Sequence, residues 1–346
     1  MTVANGNGAA PQRVLKSGVW APSPAFFDDN EDLDVATFRK HIVSLAKNGM
    51  HPVVNGSMGE AFHLTPEERT TLVREARSAL DEAGLTDVVI IAGTGGNSTR
   101  STIELSKAAA EAGADIAIVI PPGYYQGAMK KQALKTFFAD VAAASPIPVM
   151  IYNYPGAAGG IDMDSDTIIE IGQENPNICG VKLTCGAVGK LTRIAAATAT
   201  PAFNKYPRAH PEVAPTFVTL GGFADFLLPT IAGGRAGGAI MGLANIFPAS
   251  IKQLFDLAEK IATDESPSKA DLTKALQLQD LCAGSDSAFF GPGIPGTKWW
   301  LQKYNGHPNA RVRRPLLEFS DEALAQVEAN ASIAQFYEIE KALAAK

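Results

Sequence analysis

From Gly18 onward, short apolar runs rich in β-branched residues alternate with longer stretches in which apolar positions return every three or four residues. The runs are "GVWAPS", "HPVVNGS", "DVVIIAGT", "DIAIVIPP", "IPVMIYNYP", "ICGVKLT", "TFVTLGG" and "GGAIMGL". Each is apolar enough to be covered on both faces, as a strand of a parallel sheet must be. The intervening stretches read as helices with recognisable ends. Val35, Phe38, Ile42 and Leu45 share one helical face, and Gly49 stops that helix. After the second run Thr65 is placed to cap a helix, Pro66 suits its first position, Glu68 completes a capping box and Gly84 closes it. Strand and helix in strict alternation imply parallel α/β architecture, and eight such units imply a closed TIM (β/α)8 barrel. A doubly wound open sheet shares this periodicity, but no GxGxxG turn follows the first strand, which removes the dinucleotide-binding form.

The units occupy residues 18–265, close to the ~250 residues of a typical barrel. Residues 1–17 read as a flexible N-terminal tail. A polar, proline-containing hinge, "DESPSKADL", opens a C-terminal helical region over 266–346, with helical patterns in "KALQLQDLCAG", "GTKWWLQKYNG" and "DEALAQVEANASIAQFYEIEKALAAK". That region reads as an appendage, with Trp299 and Trp300 as helix packing.

Composition narrows the function classes. The chain has 346 residues, 46% hydrophobic and 19% charged, as expected of a large globular protein, with a formal net charge of -6. An acidic chain offers no basic surface to a phosphate backbone, so nucleic acid is not an expected partner. No apolar run reaches the ~20 residues of a membrane-spanning helix. Cys179, Cys185 and Cys282 are odd in number and form no CxxC pair, which argues against a disulfide framework or structural zinc. A reducing compartment suits them: the cytosol is expected, with the mitochondrion left open. His41, His51, His63, His210 and His307 are dispersed, so no metal site is expected. The acidic run Asp28, Asp29, Glu31 and Asp32 reads as a solvated loop.

In a parallel barrel, reactive groups sit where the strands end. Three ends stand out: "NGSMGE", "IYNYPGAAGG" and "GVKLT". The last places Lys182 among Cys179, Val181 and Leu183. A buried amine without a partner is driven toward its neutral, nucleophilic form. Schiff-base chemistry needs such an amine, a proton shuttle and a clamp for the keto acid's carboxylate. Lys182, the Tyr152 phenol and the backbone amides around Ser57, Met58 and Gly59 supply these in turn. Taken singly, each has a plainer reading as a strand-edge charge, a core tyrosine and a tight turn. Their coincidence on three strand ends favours chemistry.

"GSMGE", "YNYP" and "GVKLT", in this order, together with "IAGTGGNSTRSTIELSKAAAEAGAD", "PPGYY" and "GGAIMGLANIFP", resemble the dihydrodipicolinate synthase and N-acetylneuraminate lyase superfamily across most of the barrel. The resemblance implies a class I aldolase that needs no cofactor, with Lys182 condensing with pyruvate or the pyruvate half of a substrate and Tyr152 as acid and base. It implies that Ser57 links Tyr152 to Tyr125, which in the family commonly reaches a neighbouring subunit of a homotetramer. Met58 departs from the family's usual second hydroxyl residue, which leaves more of the carboxylate clamp to backbone amides. Gly156, Ala157, Ala158 and Gly159 stand where dihydrodipicolinate synthases usually carry an arginine, which disfavours lysine biosynthesis. Thr184 and Tyr154 resemble residues of members that act on hydroxylated sugar acids, and Gly221 and Ile240 would line the pyruvate pocket. The chain is similar to fungal L-threo-3-deoxy-hexulosonate aldolases of galacturonate catabolism, which yield pyruvate and L-glyceraldehyde. An aldolase for 4-hydroxy-2-oxoglutarate is the alternative.

Two other classes compete. The glycines of "AGGRAGGAIMG" loosely resemble a phosphate loop, which would suit a phosphosugar enzyme. A binding protein on an aldolase scaffold would keep the fold without the chemistry. The long segment "FNKYPRAHPEVAPTF" before the seventh strand has no assigned role.

Overall fold

The structure, a computed structural model, describes residues 13–344. Eight parallel strands close into a barrel in chain order: β1 (Gly18–Pro22), β2 (His51–Val54), β3 (Ile91–Gly93), β4 (Ile116–Val119), β5 (Val149–Asn153), β6 (Ile178–Leu183), β7 (Val218–Gly221) and β8 (Gly238–Ile240). Each lies inside one of the eight predicted runs, and β8 pairs back onto β1. Every strand residue is buried except His51 and Gly93, which are half-buried. A helix follows each strand and covers its outer face, which is why the runs are apolar throughout instead of alternating.

The helix ends behave as their residues dictate. The Thr65 hydroxyl accepts from the Glu68 amide at 3.2 Å, and the Glu68 carboxylate accepts from the Thr65 amide at 2.8 Å. Such a cap stabilises the helix by about 1 kcal/mol. The chain leaves this helix through Gly84 in the left-handed region, at φ 75°. Phe38, Ile42 and Leu45 are buried as their spacing predicts.

Two boundaries differ from expectation. Residues 1–12 of the expected tail lie outside the described residues, but Arg13 pairs with Asp115 at 2.7 Å and Leu15 is buried, so the packed chain reaches back to Arg13. The last predicted helical stretch is two helices, Asp321–Glu328 and Ala331–Ala344, because the Asn330 side chain accepts from the Ser332 and Ile333 amides and starts a new helix.

The C-terminal region is also no appendage. Its helices Lys269–Phe290 and Ala331–Ala344 pack on the barrel's last helix, Pro248–Thr263, and on each other, and Gly293–Asn305 packs on Lys269–Phe290 and on the turn Gly242–Asn245 after β8. Trp300 is buried against Phe247, Phe289, Tyr304 and Tyr337. One ion pair pins this region to the loop after β2. The Lys298 ammonium donates to Glu60 at 2.6 Å and to the Arg311 carbonyl at 2.6 Å, with both charged side chains fully buried. The other Glu60 oxygen accepts from the Arg313 amide, and Glu60 itself is held at φ 52°. Burial lowers Lys298 to about 8, with Glu60 pulling the other way.

Removing one partner of such a pair leaves an uncompensated buried charge. Lys298→Met should therefore lower the free energy of unfolding in urea by about 3–5 kcal/mol. Pairing it with Glu60→Leu should recover much of that loss, and a single variant as stable as its parent would show that the ion pair does not anchor the loop.

Candidate active site at the C-terminal ends of the strands

The pairing of β5 with β6 places Tyr152 directly beside Lys182. Both side chains enter a cavity of about 170 Å³ at the C-terminal mouth of the barrel. Lys182 is 6% exposed, and its Nζ donates to the Tyr152 hydroxyl at 3.2 Å and lies 4.3 Å from the centre of the same ring. No carboxylate pairs with this lysine among the described residues. The amine is therefore held by a phenol alone, so its Nζ stays accessible to a ligand in the cavity.

The flanking residues hold this pair rigidly. Asn153, the next residue of β5, is fully buried; its side chain donates to Asp162 at 2.7 Å and accepts from the Met163 amide at 2.9 Å. Asp162 is bound in turn by Lys190. These contacts fix the loop that follows β5 and keep Tyr154 stacked on Tyr152, with ring centres 5.7 Å apart. Burial raises the Tyr154 phenol above its ordinary value, with Tyr152 adding to the rise.

The turn after β2 supplies the second wall. Ser57 and Met58 line the cavity, and their amides donate to nothing within the described chain, whereas those of Gly59 and Glu60 are used by the turn itself. Two free amides on a turn form a small anion site. Thr184, one residue past β6, lines the cavity with its hydroxyl buried and without a partner. Ile240 completes the inner wall.

Seven of the nine residues singled out from the sequence thus meet at one cavity: Lys182, Tyr152, Ser57, Met58, Tyr154, Thr184 and Ile240. Gly221 does not. It lies within β7, and its neighbour Gly222 faces the cavity, where a Cβ would stand 2.1 Å from the Thr184 hydroxyl. Tyr125 is 72% exposed outside the cavity, its ring set edge-on to exposed Tyr124, and Ser57 makes no hydrogen bond to Tyr152 in the single chain. Of the glycines in "AGGRAGGAIMG", Gly233, Gly234 and Gly237 precede β8, at the opposite end of the barrel from the cavity, and Gly242 alone lines it, so they do not form one phosphate loop there. The segment before β7 packs near the start of β6, where Arg208 donates to the carbonyls of Gly172 and Ile178. Cys179 is buried, and that burial pushes its thiol up to about 12.

Sequence reasoning missed the outer wall entirely. It consists of Asp286, Phe289 and Phe290 from the helix Lys269–Phe290, with Gly293 and Thr297 from the next helix and Phe223 from the loop after β7. One Asp286 oxygen accepts from the Ala224 and Asp225 amides at 2.7 and 3.1 Å. Burial pushes the Asp286 carboxyl up to about 7; the two amides pull it down, and neighbouring Asp225 adds to the rise. Asp225 is itself raised by burial. Nothing in a single helical segment marks an aspartate as facing a site, so no signal in the sequence could have found it.

The dihydrodipicolinate synthetase family profile matches residues 16–334. The chain belongs to this family. An L-threo-3-deoxy-hexylosonate aldolase from Aspergillus niger is 46% identical over 96% of this chain and 98% of its own. A protein of Emericella nidulans named "Probable 4-hydroxy-2-oxoglutarate aldolase, mitochondrial" is 43% identical over 92% of this chain and 94% of its own. Among solved structures, YagE, a prophage protein of this family from E. coli K12 in complex with pyruvate, superposes with a TM-score of 0.77 at 26% identity, covering 92% of this chain and 98% of that one. The dihydrodipicolinate synthetase family assignment agrees with the closed barrel and with the helices that follow it. No helix of the described residues is long and apolar enough to cross a membrane, and no three His, Cys, Asp or Glu side chains among them gather into a metal site.

The raised Asp286 carboxyl makes stability depend on pH in a defined sense. A carboxyl near 7 when folded and near the ordinary ~4 when unfolded binds its proton more tightly in the folded state. Its contribution is therefore fully present below about pH 4 and is lost as pH rises to about 7. Asp286→Asn, which keeps an oxygen for the two amides, should gain stability relative to the parent on going from about pH 5 to about pH 8. Parallel stability profiles for the two proteins would contradict the raised value.

Proposed function

We propose that this protein is a class I aldolase that cleaves a 2-keto-3-deoxy sugar acid, L-threo-3-deoxy-hexulosonate, to pyruvate and L-glyceraldehyde. The observation that carries this reading is a buried lysine hydrogen-bonded only to a phenol, in a cavity also lined by Ser57 and Met58, whose backbone amides have no acceptor within the described chain. The relative from Aspergillus niger bears the name of this activity, and the pyruvate complex of the E. coli relative supports a keto acid as the bound half.

In the cleavage direction the substrate carboxylate binds the Ser57 and Met58 amides, which sets the C2 carbonyl against the Lys182 Nζ. Nζ attacks C2, and the carbinolamine loses water to give an iminium. Tyr152, having given its phenol proton to the hydroxyl that left as water, takes the proton of the C4 hydroxyl, the C3–C4 bond breaks, and its electron pair moves into the iminium to leave an enamine. The aldehyde departs, C3 takes up the proton held by Tyr152, and water hydrolyses the iminium to pyruvate and the free amine, returning a proton to the phenolate. Thr184 and Tyr154 receive the hydroxyls of the departing half. No metal or organic cofactor enters these steps.

The second relative's name raises 4-hydroxy-2-oxoglutarate as an alternative substrate. Its far carboxylate would want a cation, and beyond Lys182, which is taken up by the keto group, no lysine or arginine lines the cavity among the described residues. Dihydrodipicolinate synthesis is disfavoured on the same ground, since the loop Gly156–Gly159 offers no charge. We further read the protein as a homotetramer of the cytosol serving galacturonate breakdown. Exposed Tyr124 and Tyr125 offer a face to a neighbouring subunit, and the free thiols suit a reducing compartment.

Incubation of the purified protein with L-threo-3-deoxy-hexulosonate should release pyruvate and L-glyceraldehyde in equal amounts. Lys182→Ala should release neither, and Tyr152→Phe should lose about 10²–10⁴ in kcat while still forming the iminium. Glyoxylate from 4-hydroxy-2-oxoglutarate, with no cleavage of the sugar acid, would overturn the assignment.

A further inference from the structure

The outer wall of the cavity carries one ionisable group that the proposed steps do not use. Asp286 lines the cavity from the helix Lys269–Phe290, beside Phe289, Phe290 and Thr297, and is 5% exposed. Its position is set by the loop after β7, whose Ala224 and Asp225 amides both donate to one carboxyl oxygen. The same helix holds that loop again through Gln279, which accepts from the Leu228 amide and donates to the carbonyls of Ala224 and Asp225. Asp286 is therefore a fixed group, and its second oxygen accepts no hydrogen bond among the described residues.

A bound keto acid places its reacting half against Lys182, Tyr152 and the Ser57 and Met58 amides, which belong to the inner walls. A substrate held there would extend its remaining atoms past Thr184 and Tyr154 toward the outer wall, which carries Asp286. We propose that Asp286 determines specificity at this end, its free oxygen accepting hydrogen bonds from a hydroxylated tail while its charge repels a tail that ends in carboxylate. This rests on the aldolase reading above and deepens it by assigning the choice between the two substrate classes to one side chain outside the barrel strands. A fixed acceptor rewards hydroxyl donors, and a like charge with no arginine or second lysine lining the cavity beside it penalises the dicarboxylate, so attraction and repulsion act together.

The titratable groups facing Asp286 are Asp225 from the loop after β7, Cys282 on its own helix, and Lys182, Tyr152 and Tyr154 across the cavity. Asp225 reinforces the negative field, and burial raises Cys282 well above its ordinary value, so that thiol stays neutral. With the Asp286 carboxyl at about 7, its repulsion is present above neutral pH and fades below it.

The test measures kcat/KM for L-threo-3-deoxy-hexulosonate and for 4-hydroxy-2-oxoglutarate with the full-length protein and with Asp286→Asn. At about pH 8 the ratio favouring the sugar acid should fall by about tenfold or more in the variant. In the parent, which needs no substitution, the same ratio should rise between about pH 6 and about pH 8. A variant that slows both substrates by one factor would assign Asp286 a structural role, and a parent ratio flat across that range would overturn the proposal. A parent that cleaves the sugar acid but shows neither effect would sink this inference alone, whereas a parent that cleaves neither substrate would overturn the aldolase reading as well.

Discussion

The structure depends on one pairing register. Because β5 and β6 run parallel with Tyr152 opposite Lys182, an amine and a phenol share one buried position, 3.2 Å apart, at the mouth of the barrel. A slip of one residue would turn either side chain to the other face of the sheet, and the barrel core forbids it, since the neighbours Ile151, Val181 and Leu183 are fully buried. Packing of the strands is thus also the positioning of the proposed nucleophile and its proton carrier. The cost of desolvating Lys182 is borne by the apolar runs on both sides of it.

Around that fixed pair the site is assembled from parts of different origin. The strands supply Lys182, Tyr152 and Ile240, the turn after β2 supplies free amides, and the C-terminal helices supply the outer wall. The buried Lys298–Glu60 pair ties the last two together, because Glu60 lies three residues beyond Ser57 and Lys298 lies one residue beyond Thr297. The helices after the barrel therefore act on both halves of the cavity, directly through Asp286, Phe289 and Phe290 and indirectly by holding the amide turn.

The inner half of this arrangement was legible in the sequence, and physical reasons separate it from the rest. Strands covered on both faces announce themselves as continuous apolar runs, and the break at the end of each run marks the cavity, so Lys182 and Tyr152 could be placed from position, whereas Thr184 was marked only by the family resemblance. Gly221 was placed one residue early, because a run such as "TFVTLGG" does not say which glycine ends the strand and which faces the ligand. The outer wall was illegible for a different reason. Asp286 lies in a helix with little amphipathic contrast, buried among other helices, and only the tertiary contact with Ala224 and Asp225 shows that it faces the site. The break at Asn330 was hidden likewise, since its capping side chain sits in a stretch whose helical periodicity continues on both sides.

The central claim is that the Lys182 Nζ becomes covalently attached to a keto acid. Incubating the protein with pyruvate and sodium borohydride, then digesting it and mapping the adduct by mass spectrometry, addresses that claim directly. The account predicts a single reduced pyruvyl adduct, on the peptide containing Lys182. A folded protein without any adduct, or one modified at another lysine, would contradict it.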